Sequence, residues 1–144
     1  MEKEFKLLKE WAVDYIKNKD ILARTIEAIE ENKEGWDIIV KTKTGERYYL
    51  IRPRMEDFKE ILHLLDEKAV TIVVLNMKNN LEALIKNWGK LVDYPRLCII
   101  FVNPYSELEK KWLVYPTTHQ FVTEKASLER GLNAMFQTVE QWKG

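Results

Sequence analysis

Residues Trp36–Arg54 read WDIIVKTKTGERYYLIRPR, and the fold class turns on this stretch. Two β-rich runs, Asp37–Thr42 and Arg47–Arg52, flank Thr44-Gly45. Glycine tolerates the positive φ that tight hairpin turns demand, so the pattern predicts a β-hairpin. With Thr44-Gly45 as a two-residue loop, Lys43 opposes Glu46, Lys41 opposes Tyr48, Ile39 opposes Leu50, and Asp37 opposes Arg52. Side chains alternate along a strand, so all eight residues share one face. Ile38, Val40, Tyr49 and Ile51 fill the other face, which is the predicted core surface.

Towards the amino terminus, Phe5, Leu8, Trp11, Ala12, Tyr15 and Ile16 recur at helical spacing and predict a helix over Glu2–Lys17. Asp20 is placed to cap a second helical segment, Ile21–Asn32, whose Leu22, Ile26 and Ile29 continue the buried stripe. Its Glu27, Glu30 and Glu31 read as a solvated face. Beyond the hairpin, Pro53 ends the strand and opens a predicted helix Met55–Lys68, with Phe58, Ile61, Leu62 and Leu65 inward and His63 exposed.

Ala69–Leu75 (AVTIVVL) and Leu97–Val102 are continuous apolar runs, the signature of strands covered on both faces in a parallel arrangement. Between them Leu81–Trp88 reads as a helix capped by Asn79 or Asn80 and closed by Gly89, completing a βαβ unit. Ser106–Lys111 is predicted as a short helix and Trp112–Tyr115 as an edge strand stopped by Pro116. Ser127 caps a final helix, Leu128–Trp142, with Leu128, Leu132, Met135, Phe136, Val139 and Trp142 on one side. The expected fold is a single α/β domain over residues 1–144, a mixed sheet flanked by helices.

A leading helix, a hairpin and then alternating strands and helices resemble the restriction-endonuclease-like fold of the PD-(D/E)xK nuclease superfamily. The resemblance spans roughly residues 20–103 and is mainly topological. That family sets an Asp near the start of one hairpin strand and a Glu/Asp-x-Lys in the next, converging on Mg²⁺. Asp37 stands at the place of the Asp, and Leu50-Ile51-Arg52 at the place of the Glu-x-Lys. Leu50 has no oxygen to ligate a hard cation. Arg52 stays protonated and cannot act as a general base. The resemblance therefore implies a member with a degenerate motif that binds rather than cuts, with neither metal nor cofactor. The plainer alternative makes Asp37 and Arg52 a cross-strand ion pair.

The chain has 144 residues, 46% of them hydrophobic and 32% charged, with zero formal net charge. One domain with a substantial core follows. Overall electrostatics do not advertise a polyanionic partner, although a local basic patch stays open. Abundant Lys, Glu and Ile lean towards a thermophile composition. Cys98 is the only cysteine and sits inside an apolar run, so neither a disulfide nor a cysteine-based zinc site is expected. No run has the length of a membrane span, and the charged start MEKEFKLLKE is not that of a signal peptide. A cytoplasmic protein without membrane association is the expectation.

Three functional readings compete with an active nuclease, whose only hairpin carboxylates would be Asp37 and Glu46. The first is association with DNA or RNA through Lys41, Lys43, Arg47, Arg52 and Arg54, joined by Lys59, with Tyr48 available for stacking. The second is a protein-interaction module or homodimer working through the C-terminal helix or an edge strand. The third is a small-ligand site or enzyme at the strand carboxyl ends, using Asn76, Lys78, Asn103 and His119. No glycine-rich phosphate cradle accompanies those strands.

Overall fold

The computed structural model describes residues 2–122 and 125–144. It is a mixed α/β structure built on one six-stranded sheet whose strands lie side by side in chain order. The elements are α1 (Glu2–Lys19), β1 (Ile26–Lys33), β2 (Trp36–Thr42) and β3 (Gly45–Ile51), then a 3₁₀ turn, Phe58–Ile61, that runs into α2 (Leu62–Leu65). β4 (Val70–Leu75), α3 (Lys78–Lys86), α4 (Trp88–Leu91), β5 (Cys98–Val102), β6 (Lys111–Val114), α5 (Pro116–Val122) and α6 (Lys125–Gln137) complete the chain. β1, β2 and β3 form an antiparallel meander, β3–β4 and β4–β5 pair in parallel, and β6 returns antiparallel along the edge.

Each face of the sheet buries its own core. α1 lays Leu8, Ala12 and Ile16 over Ile38, Val40, Tyr49, Ile51, Val73 and Ile100. These three positions lie four residues apart, which stacks them on one helix face. On the opposite side Ile39, Leu50, Ile72, Val74, Ile99 and Phe101 meet the helical layer through Phe58, Leu65, Leu84, Leu91 and Phe136. β4 and β5 are thus covered on both faces, as their continuous apolar runs lead one to expect. The C-terminal stripe is covered in part: Leu132, Phe136 and Val139 are buried, Leu128 and Trp142 are half-buried, and Met135 is exposed. Among the described residues no helix is long and apolar enough to cross a membrane.

Several elements differ from the sequence reading, each for a physical reason. Ile21–Asn32 is not a helix. The chain turns through Arg24 at φ +51° and enters β1, which pairs with β2 from Ile26↔Thr42 to Lys33↔Trp36. Asp20 caps no helix either; its carboxylate accepts the Thr25 and Ile26 amides at 2.9 and 3.0 Å and clamps that turn. Glu34-Gly35 joins β1 to β2 with φ +55° and +86°, the all-positive geometry of a type I′ hairpin turn. Glutamate, lysine and alanine favour helix locally, but the open edge of β2 demands a partner, and pairing prevails.

The β2–β3 hairpin is displaced by two residues from the expected register. Lys41 faces Glu46 and Ile39 faces Tyr48, so Lys43-Thr44 is the loop and Gly45 opens β3 opposite Thr42. Gly45 adopts φ +147°, and the Thr42 hydroxyl donates to its carbonyl at 2.9 Å. A two-residue slip leaves every side chain on its original face, so the core assignment survives it.

Met55–Lys68 shortens to a 3₁₀ turn and one helical turn because Asp57 accepts the Lys59 amide at 2.9 Å and Asp66 turns the chain out at φ +38°. Neither Asn79 nor Asn80 caps α3. Met77 precedes it without a side-chain bond, and Trp88 and Gly89 belong to α4. Ser106–Lys110 is irregular, held by the Lys110 ammonium on the Ser106 carbonyl at 2.6 Å. Pro116 starts a helix as well as ending a strand, and Ser127 lies inside α6. α6 stops at Gln137, short of Trp142.

Candidate functional site

At the nuclease-like position, Asp37 Oδ2 accepts Arg52 Nη1 at 2.9 Å and the Ile51 amide at 2.7 Å. Arg52 Nη1 also donates to the Ile51 carbonyl at 3.0 Å. The guanidinium thus occupies the volume beside the carboxylate, and Leu50 points into the core with no exposed surface. Among the described residues no cluster of three or more His, Cys, Asp or Glu side chains is arranged to hold a metal. An acceptor-only carboxylate held by a permanent cation and a backbone amide is a structural clamp.

The hairpin cations do not form one patch. Lys41 is paired with Glu30 at 2.8 Å, and Arg54 forms a two-pronged pair with Glu4 at 2.8 and 2.7 Å. Arg54 and the Trp142 indole together hold the Glu4 carboxyl below the usual carboxylate range. The Tyr48 hydroxyl donates to Glu46, and its ring lies 4.8 Å from that of Trp36. Lys43 and Arg47, at the turn end, join no ion pair among the described residues. Arg47 shares the α1 face with Tyr49, opposite to Tyr48, and five residues of strand separate it from Arg52 by roughly 17 Å. Lys59 is exposed beside Asp57.

At the strand carboxyl ends Asn76 and Asn103 do lie together, the Asn76 amide donating to the Val102 carbonyl at 2.8 Å. The chain's own C-terminal segment fills the crevice above them. Asn76 Nδ2 reaches the carbonyls of Phe136, Val139 and Glu140 at 3.3, 2.9 and 3.2 Å, while its Oδ1 accepts the Trp112 indole at 2.8 Å. Asn103 Nδ2 donates to Glu140 and Gln141, and the Trp142 amide returns to the Asn76 carbonyl. Lys78 is exposed at the start of α3. His119 is not part of this end at all. It sits in α5 with Nδ1 beside the Tyr115 amide and carbonyl, at the opposite end of the sheet. His63 is exposed, as its position off the apolar stripe requires.

That opposite end carries a hollow of about 290 Å³ that pattern reading passed over. Tyr49, Thr71 and Cys98 form a row across β3, β4 and β5, since Tyr49 pairs with Thr71 and Thr71 with Cys98. Tyr115 follows β6 and lines the hollow beside Cys98. Tyr15 and Lys19 reach in from the last turns of α1, Arg47 from β3, and Arg96 from the loop before β5. Burial pushes the Cys98 thiol up to about 11, and the neighbouring thiol together with burial pushes the Tyr115 phenol up to about 12. No local motif announces this group, because its members come from five separate segments. Comparison with protein-family models, with curated proteins and with solved structures finds no match for the chain.

Proposed function

We propose that this protein is a non-catalytic nucleic-acid-associated protein of nuclease-like architecture, binding phosphates through the turn end of the β2–β3 hairpin. The observation that carries this reading is the division of the cations. Arg52, Lys41 and Arg54 are neutralised by Asp37, Glu30 and Glu4, whereas Lys43 and Arg47 are exposed at the turn end and join no ion pair among the described residues. Free cations release counterions when they meet phosphate; paired ones must first lose a bond. The Asp37–Arg52 clamp supports the non-catalytic part, since it spends the one carboxylate that the nuclease resemblance would assign to a metal.

Anisotropy titrations of single-stranded, duplex and branched oligonucleotides over a salt series test the reading, with Mg²⁺ or Mn²⁺ in parallel samples. Affinity should fall steeply with salt, and Lys43→Ala and Arg47→Ala should each flatten the log–log slope by about 1. Arg52→Ala should leave the slope unchanged. Absence of binding at low salt overturns the nucleic-acid reading, and divalent-dependent cleavage overturns the non-catalytic one.

A further inference from the structure

We propose that the hollow at the amino ends of β4 and β5 is a binding site for a phosphate group, held by Lys19, Arg47 and Arg96 above a floor of hydroxyl and thiol donors. The inference goes beyond the nucleic-acid reading, because a free phosphate monoester would satisfy the same contacts.

The charge balance is the first argument. Three cations line the hollow and, among the described residues, no carboxylate does. None of the three joins an ion pair among the described residues. Arg96 spends one donor on the Glu67 carbonyl at 3.2 Å, and the Lys19 ammonium lies 5.8 Å from the Tyr15 ring centre. Asp20 borders an adjoining hollow with Lys19 and Arg47 and attracts Arg47 without pairing to it, its oxygens accepting the Thr25 hydroxyl and the Thr25 and Ile26 amides. All three cations are exposed at the rim of the hollow, where like charges repel one another, and an anion between them converts that repulsion to attraction.

Floor chemistry is the second argument. The Tyr49 phenol and Cys98 thiol are driven upward by burial, and Tyr115 by its thiol neighbour, so at neutral pH these groups are uncharged. They can donate to an oxyanion. A thiol held protonated is also a poor nucleophile, so the site binds and does not take a phosphoryl group onto sulfur. Two guanidinium forks and an ammonium suit the several terminal oxygens of a phosphate monoester better than a single carboxylate. A volume of about 290 Å³ admits a phosphate with a small attached group.

The third argument is topological. Parallel strands bring their first residues to one end, α1 stops at Lys19, and antiparallel β6 delivers Tyr115 beside Cys98. The concavity is therefore built by the ends of fixed elements.

Calorimetric titration at constant ionic strength tests the site with inorganic phosphate, a nucleoside monophosphate, and an oligonucleotide with or without a 5′-phosphate. Phosphate should bind, with Arg47→Gln and Arg96→Gln each weakening it about tenfold, the loss of one charge-assisted hydrogen bond. Lys90→Gln, exposed in α4 on the other side of the sheet, should bind as the parent does. Arg96 lies in a loop, so its variant reads the site even if Arg47→Gln perturbs the sheet. Preference for the 5′-phosphorylated strand places the phosphate at a nucleic-acid end; equal binding of phosphate and nucleotide without that preference places it on a small molecule. Affinities indifferent to both arginine changes overturn the proposal, as does failure of every phosphate probe. Phosphate binding without oligonucleotide binding ends the nucleic-acid reading alone, while oligonucleotide binding that ignores the 5′-phosphate, with inorganic phosphate and nucleotide both failing to bind, ends this one alone.

Discussion

Asn76 holds more of the molecule together than its size suggests. One buried amide joins the end of β4 to the Trp112 indole of β6 and to three carbonyls, of Phe136 in α6 and of Val139 and Glu140 just beyond it. Replacing it by Ala leaves these partners buried and unsatisfied, so Asn76→Ala should cost about 3 kcal/mol in chemical denaturation. Leu50 makes the complementary point. A carboxylate there would restore the nuclease-like acid in name, yet the position has no exposed surface and lies among Ile39, Ile72 and Phe58. Leu50→Glu should therefore destabilise by about 4 kcal/mol or more, and Mg²⁺ should not restore the denaturation midpoint. Rescue by the metal would show that the position can still serve as a site.

At the scale of elements, turns decide more than strands do. Glu34-Gly35 and Lys43-Thr44-Gly45 set the two hairpins, and Gly45 at φ +147° lies where an L side chain is strained even though the space around it is open. Gly45→Ala should cost about 1–3 kcal/mol of stability. Amide exchange should accelerate first at the turn end of β2 and β3, where the register is set, rather than at β4. The helices behave differently. At the end of α6 the Thr138 hydroxyl donates to the Met135 carbonyl, Asn76 takes the Phe136 carbonyl, and Asn76 and Asn103 hold the Val139 and Glu140 carbonyls beyond the helix, so that Trp142 stacks on Tyr105 at 5.5 Å and reaches Glu4.

The whole molecule is a sheet insulated on both faces, and its response to alkali follows from that burial. Cys98 is almost fully buried and keeps its proton up to about pH 11, whereas in an unfolded chain it would ionise near its ordinary value of 9.0. Between these limits the unfolded state binds fewer protons than the folded one, so stability falls as pH rises from about 9 to about 11. Below 9 the contribution is fully present. The loss amounts to about 2–3 kcal/mol from this group, and Cys98→Ala should flatten that limb of the stability–pH curve measured by urea denaturation. A curve of unchanged slope would show that Cys98 ionises normally in the folded protein.

The sequence alone determined what periodicity and side-chain chemistry encode locally. β4 and β5 are legible because short apolar runs rich in β-branched residues fit a strand buried on both faces, and α1 because its apolar residues recur every three or four positions. The core face of the hairpin is legible because alternation survives a two-residue slip. Asp37 and Arg52 could be paired on paper, and they are paired in the structure at 2.9 Å although the register between them differs. Tertiary structure decided the rest. Residues 26–33 carry a helix-favouring composition and become a strand because β2 offers a ladder. Lys41 and Arg54 look like phosphate ligands until Glu30 and Glu4 neutralise them, and Glu4 lies 50 residues from Arg54. Asn76 and Asn103 mark the end expected to bind a ligand, but the chain's own carbonyls, 60 to 64 residues from Asn76, take their place. The cationic hollow forms where five segments meet. A hydrogen bond or charge contact between distant residues leaves no periodic trace in a local window, so only the folded chain reveals which polar groups are spent and which remain free.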